Sequence, residues 1–90
     1  MEFEADPLKA AQNFKKHKVS FEEAASVFGD SMAYTFADPD HSVGEARWLS
    51  FGMSSRGRVL AVIYTERRGK VRLISARVAT KNERKIYEED

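Results

Sequence analysis

Three arginines, Arg67, Arg72 and Arg77, recur at five-residue steps through the stretch ERRGKVRLISAR, with Glu66 directly before the first and Lys70 between the first two. A guanidinium is always charged and donates two parallel hydrogen bonds to a pair of phosphate oxygens, so this residue type suits a phosphodiester. Cutting such a bond in RNA without a metal requires a base for the ribose 2′-hydroxyl, cations for the charge that grows on the phosphate, and an acid for the leaving 5′-oxygen. The arginines fit the second service. Glu66, His17, His41, Tyr64 and Tyr87 are the side chains that fit the first or third. Histidine ordinarily titrates nearest neutral pH, and Lys16 beside His17 adds a grip for phosphate. The catalytic candidates are therefore Arg77, Arg67, Glu66, His17 and Tyr87, and the substrate-binding candidates are Arg72, Lys16, Lys70 and His41. Each has a plainer role: solvated strand ends for the arginines, a neighbouring ion pair for Glu66, helix-end capping for His17, turn stabilisation for His41, and core packing with a wet hydroxyl for Tyr87. On residue types alone the basic stretch serves an RNA phosphate, an acidic protein partner, or only solvent.

Other chemistries find less support. There is no cysteine, and the two histidines stand 24 residues apart without paired acids nearby, which is a weak zinc pattern. No glycine-rich phosphate loop follows a strand and no serine sits on a nucleophile elbow. Neither a metal nor a cofactor is expected. A length of 90 residues predicts one domain, 1–90, and a hydrophobic fraction of 42% with six Phe, three Tyr and one Trp supports a small core without a deep pocket. Any site should be a shallow surface. The opening MEFEADPLKA is acidic rather than basic and apolar, and apolar runs fall well short of the ~20 residues that span a bilayer, so a cytoplasmic protein is expected. The net charge of +1 hides an asymmetry: residues 1–46 hold four basic and nine acidic side chains, residues 47–90 eleven and five. The positive field belongs to the C-terminal half.

The elements that must position these groups follow from pattern. Phe3 alternates with acids in a short edge strand. Asp6 and Pro7 open a helix through DPLKAAQNFKKHK, with Leu8, Ala11 and Phe14 as its buried stripe and Lys9, Asn13, Lys16 and His17 on a polar face. Ser20 and Glu23 have capping-box spacing ahead of a second helix, in which Phe21, Ala24, Ala25 and Phe28 repeat at helical intervals. MAYTF is a short strand, ADPDHSVGEA a turn-rich loop, and residues 46–78 a three-strand meander with Leu49, Phe51 and Met53 on one face. Thr80 with Glu83 opens a last helix. A two-residue turn at Arg68-Gly69 predicts Arg67 opposite Lys70, Glu66 opposite Val71, Tyr64 opposite Leu73 and Leu60 opposite Arg77. In that register Tyr64, Glu66, Ser75 and Arg77 share one face, and Arg67 and Arg72 the other. For stacking on RNA bases the strands offer Trp48 and Tyr64, whose commoner fate is packing.

FEADPLKAAQNFKKHKVSFEEAASVFGD, DPDHSVGEARW, YTERRGKVRLISARVAT and ERKIYEE, in order and over essentially the whole chain, resemble the BrnT family, the toxin half of a bacterial type II toxin–antitoxin pair. The resemblance implies a RelE-like α+β fold, with two N-terminal helices packed on an antiparallel sheet of about four strands and a C-terminal helix. It also implies a metal-independent endoribonuclease that arrests growth. Its implied partner is a BrnA-like antitoxin with a ribbon-helix-helix DNA-binding domain, in a 2:2 or larger complex. Competing readings are a non-catalytic RNA- or protein-binding module of the same fold, and a toxin that poisons a protein target, as gyrase-poisoning members of the RelE-like superfamily do. Two residues depart from the family pattern: members usually read FEWD and KHGV, where this chain has Ala5 and Lys18. A lysine in a left-handed helix cap carries a penalty of order 1 kcal/mol.

Overall fold

The computed structural model describes residues 1–38 and 44–89. His41 lies outside them. The first helix, α1, spans Pro7–His17; the Asp6 carboxylate caps it by accepting from the Leu8 N–H, and Pro7 occupies its first turn. It stops at Lys18, which takes the left-handed conformation, φ 58° and ψ 31°. Helix α2 spans Phe21–Ser26 with Ser20 accepting from the Glu23 N–H, and continues as one 3₁₀ turn, Val27–Gly29. The Glu23 carboxylate does not complete a capping box. It is taken by Arg58 and by the Ser54 hydroxyl, and Arg58 also donates to the Lys18 carbonyl, which ties the α1–α2 corner to the turn at residues 54–58. Helix α3, Lys81–Glu88, opens with a complete Thr80/Glu83 capping box.

Five strands, β1 (Phe3–Glu4), β2 (Tyr34–Ala37), β3 (Trp48–Met53), β4 (Val59–Arg67) and β5 (Lys70–Val78), form one sheet in the order β1-β5-β4-β3-β2. Strand β1 runs parallel to β5 and every other pair is antiparallel. The expected four strands are thus joined by the short edge segment at Phe3. Among the described residues no helix is long and apolar enough to cross a membrane.

Helices α1 and α2 cover the inner face. Val19, Phe21, Ala24 and Val27 pack there against Leu60, Val62 and Tyr64 of β4 and Val71, Leu73 and Ala76 of β5. Phe28 bridges Phe3 and Tyr64, with ring centroids 5.3 and 4.8 Å away. Tyr64 is therefore a core aromatic, and Trp48 packs against the same cluster.

The face of α1 that turns inward is not the expected one. Leu8 is 66% exposed and Phe14 49%, and Ala11 is also exposed, whereas Asn13 is buried. The cause is an unpaired sheet edge. Strand β1 covers β5 only at Val71 and Arg72, so the backbone of Ala76 faces α1 with no strand beside it. Asn13 supplies what a strand would: its Nδ2 donates to the Ala76 carbonyl and to that of Val19, each at 2.9 Å, and its Oδ1 accepts from the Ala76 N–H at 3.0 Å. Leaving buried backbone groups without partners costs about 1–3 kcal/mol each, more than α1 would gain by rotating the half-exposed Phe14 inward.

Candidate nucleic-acid interface

The β4–β5 hairpin turns at Arg68 and Gly69, both left-handed with φ 54° and 77°, and Arg67 faces Lys70 as a two-residue turn dictates. The ladder runs as expected to Tyr64 opposite Leu73, and there it changes. Ile74 has no partner, Ser75 faces Ile63, and Arg77 faces Ala61 rather than Leu60, which pairs with Val78. Ile74 is a β-bulge, one extra residue that reverses the facing of all that follow on its strand.

The bulge overturns the expected division of the arginines. In β4 the core residues Leu60, Val62 and Tyr64 point inward, so Ala61, Ile63, Thr65 and Arg67 point outward. Their partners Arg77, Ser75, Arg72 and Lys70 share that outer face. The three arginines thus share one face, spread along it: Arg77 lies opposite Ala61, six residues or about 20 Å from Arg67, with Arg72 between them. Glu66, opposite Val71, points to the other side and does not sit with Arg77. Were Ile74 paired in an unbroken ladder, Arg72 and Arg77 would face opposite ways, since five residues is an odd number of alternations.

Four cations of this face are each held by a glutamate from elsewhere in the chain. Arg67 meets Glu45 in a two-pronged pair, Nε–Oε2 3.0 Å and Nη2–Oε1 2.9 Å. Arg77 meets Glu83 of α3 likewise, Nη1–Oε1 2.6 Å and Nη2–Oε2 2.9 Å. Arg72 reaches Glu4 at 3.3 Å, and the Lys70 ammonium lies 3.5 Å from Glu2. The hydrogen bonds from Arg67 and Arg77 hold the Glu45 and Glu83 carboxyls below their ordinary range, and the same bonds raise both guanidinium groups. Both members of each pair are ionised at neutral pH. Residue type and spacing alone do not mark these glutamates as site residues; only Glu83 carries a local signal, its cap with Thr80.

Along the open edge of β5, a shallow groove of about 270 Å³ is lined by Lys9, Gln12, Asn13, Lys16 and His17 of α1 and by Ile74 and Ser75. His17 and Lys16 therefore border Ser75, which shares its face with Arg77. Tyr87 stands apart from them. Its hydroxyl donates to Asp30 Oδ2 at 2.6 Å, and that bond together with burial raises the phenol above its ordinary value. Burial works against the ionised Asp30, but the Tyr87 hydroxyl and the N–H groups of Met53 and Met32 outweigh it and keep the carboxyl low. The pair clasps α3 to the end of β3. Tyr87 is committed to that clasp rather than to the arginines.

Two rings missed in the sequence complete the outer face. Tyr34 lies in register with Phe51 and Phe36 with Leu49, and both β3 residues pair with outward residues of β4, so Tyr34 and Phe36 stand on the arginine side. Their centroids are 4.8 Å apart, and Phe36 meets Phe51 at 5.5 Å. The alternation in MAYTF was the available signal.

Comparison with curated proteins finds no match. Among solved structures the chain is similar to the Brucella abortus ribonuclease toxin BrnT, whose crystal structure it matches with a TM-score of 0.70 at 21% sequence identity, over 90% of this chain and 99% of that one. This establishes the fold, including the arrangement of three helices and the mixed sheet. A family model described as the ribonuclease toxin BrnT of type II toxin–antitoxin systems matches residues 6–83, which takes in α1, the arginine-bearing hairpin and the start of α3. The chain therefore belongs to the BrnT family of type II toxin–antitoxin ribonuclease toxins.

Proposed function

We propose that the outer face of the sheet is an RNA-cleaving surface that works without a metal. Arg67, Arg72 and Arg77 bind successive phosphates along the hairpin, and Arg77 stabilises the charge that grows on the one that is cut. The ribose 2′-oxygen attacks phosphorus and the 5′-oxygen leaves with a proton, giving a 2′,3′-cyclic phosphate and a 5′-hydroxyl. His17 handles a proton in this scheme, and Lys16 with Lys70 draws the strand in. The observation that carries the reading is the bulge at Ile74, which gathers on one face three arginines that strict alternation would divide.

The partner is an antitoxin whose acidic groups displace Glu45, Glu4 and Glu83 from the same arginines in the cytoplasm. A BrnA-like ribbon-helix-helix antitoxin dimerises through its DNA-binding part, which makes the complex 2:2 or larger. The deciding experiment incubates purified toxin with RNA in excess EDTA. The expected result is cleavage with cyclic-phosphate ends, weakened strongly by Arg77→Ala. Cleavage that stops in EDTA would refute the metal-free scheme, and retardation of RNA without cleavage would favour a binding module.

A further inference from the structure

We propose that Tyr34 and Phe36 form a stacking platform for unpaired RNA bases, so that the outer face reads bases at β2 while it holds phosphates at β5. The inference rests on the ribonuclease reading above and deepens it. Two rows of the sheet carry it. One runs Arg77, Ala61, Phe51, Tyr34 from β5 to β2, and the next runs Ser75, Ile63, Leu49, Phe36. Ala61 and Phe51 of the first row are buried, so the path on the surface follows the second: across three inter-strand steps of about 4.8 Å, some 14 Å in all, it runs from the β5 edge that carries Arg77 over half-buried Ile63 and Leu49 to the aromatic pair. A single strand of nucleic acid laid across the strands presents the matching chemistry, phosphates at one side and π-faces at the other. The span suits roughly four nucleotides, the low end of sites on such platforms.

The rings are available for this. Phe51 is 3% exposed and already fills the sheet beneath them, whereas Tyr34, on the edge strand, is 36% exposed. Phe36 props Tyr34 at a 36° interplanar tilt and rests edge-on against Phe51, so the platform is fixed before a base arrives. Leu49 and Ile63, both half-buried, give an apolar floor that contacts sugar without competing for phosphate. A stacked base needs no hydrogen bond, so the preference generated is for unpaired RNA over duplex, whose bases are hidden.

The test measures binding of a short single-stranded 2′-O-methyl RNA, which lacks the attacking hydroxyl and is not cut, and of inorganic polyphosphate, which has no bases. Tyr34→Ala and Phe36→Leu should each weaken RNA binding at least about fivefold, leave polyphosphate binding unchanged, and leave the salt slope of RNA binding unchanged. Tyr34→Phe should bind RNA as the parent does. Loss of RNA and polyphosphate binding together in Tyr34→Ala would overturn the platform, as would unchanged RNA binding in both ring variants. If the ring variants have no effect while Arg72→Ala weakens RNA binding, the platform falls and the ribonuclease surface stands. If neither set of variants affects RNA binding, the ribonuclease surface falls with it.

Discussion

The pairing of Arg77 with Glu83 allows the clasp and the phosphate site to be separated by opposite charges. The Arg77 side chain is 39% exposed and that of Glu83 18%, so solvent screens the pair and its contribution to stability stays near the upper end of surface pairs, about 1 kcal/mol. Arg77→Ala removes that and leaves Glu83 bonded to the Thr80 N–H at 2.9 Å. For a domain of this size the melting temperature should fall by about 4–8 °C. Glu83→Gln also breaks the ion pair but keeps an amide oxygen for the cap, so its loss of stability should be similar. Their effects on RNA should diverge. Losing a cation that contacts the transition state costs about 3 kcal/mol, roughly a hundredfold in rate. Removing a carboxylate about 5 Å from a bound phosphate relieves close to 1 kcal/mol of repulsion even in water, so Glu83→Gln should bind RNA about fivefold tighter. Thermal melts and single-turnover cleavage of a defined RNA measure both quantities. If the two variants shift cleavage in the same direction, in proportion to their stability, Arg77 is a structural clasp and the phosphate role is refuted.

Lys18 is a second test of local conformation against side-chain identity: with φ at 58°, Lys18→Gly should raise stability by about 1 kcal/mol, and a melting temperature that falls would show that the Lys18 ammonium, 5.9 Å above the Phe14 ring, outweighs the backbone strain. The Glu23 carboxyl is held below its ordinary 4.5, first by the Arg58 hydrogen bond and against burial. A depressed folded value gives stability that is present above about pH 4.5 and lost as pH falls through that folded value, so melting temperature should decline in acid and Glu23→Gln should flatten the decline. Ala5 borders an apolar cleft of about 200 Å³ that Phe3, Phe21, Ala25 and Leu73 also line. Ala5→Trp should fill it and add about 1–2 kcal/mol in denaturant unfolding, whereas a lower midpoint would show that the cleft cannot admit an indole.

What could be read from the chain was what is decided locally. Asp6 with Pro7, Thr80 with Glu83, and Arg68 with Gly69 each set a cap or a turn within a few residues, and all three form as expected. Hydrophobic spacing points to the wrong face of α1 because it says nothing about a strand edge more than sixty residues away that needs an amide. The grouping of the arginines was misread for a related reason. Counting by twos assumes an unbroken ladder, and nothing in LISAR marks Ile74 as the residue without a partner. Tyr34 and Phe36 were visible as an alternating pair, but their bearing on the arginines exists only through the register of three intervening strand pairs.

These two misreadings have one cause, and it bears on how the site is held. Strand β1 ends after Glu4, opposite Arg72; the bulge follows at Ile74, the Asn13 amide binds Ala76, and Arg77 comes next. A bulge is cheap where one side of its strand has lost its ladder, but it leaves the strand free to slip back into register. Asn13 opposes that slip by holding both backbone groups of Ala76. The same helix carries Lys16 and His17 along the groove at Ser75, about one turn from Asn13. The amide that keeps Arg77 outward therefore also sets the height of α1 on the sheet, and the two sets of cations cannot move independently. On the proposed ribonuclease reading, a substitution that loosens Asn13 would therefore weaken RNA binding at both sets of cations, although the Asn13 amide itself is buried and occupied by the Ala76 and Val19 backbone.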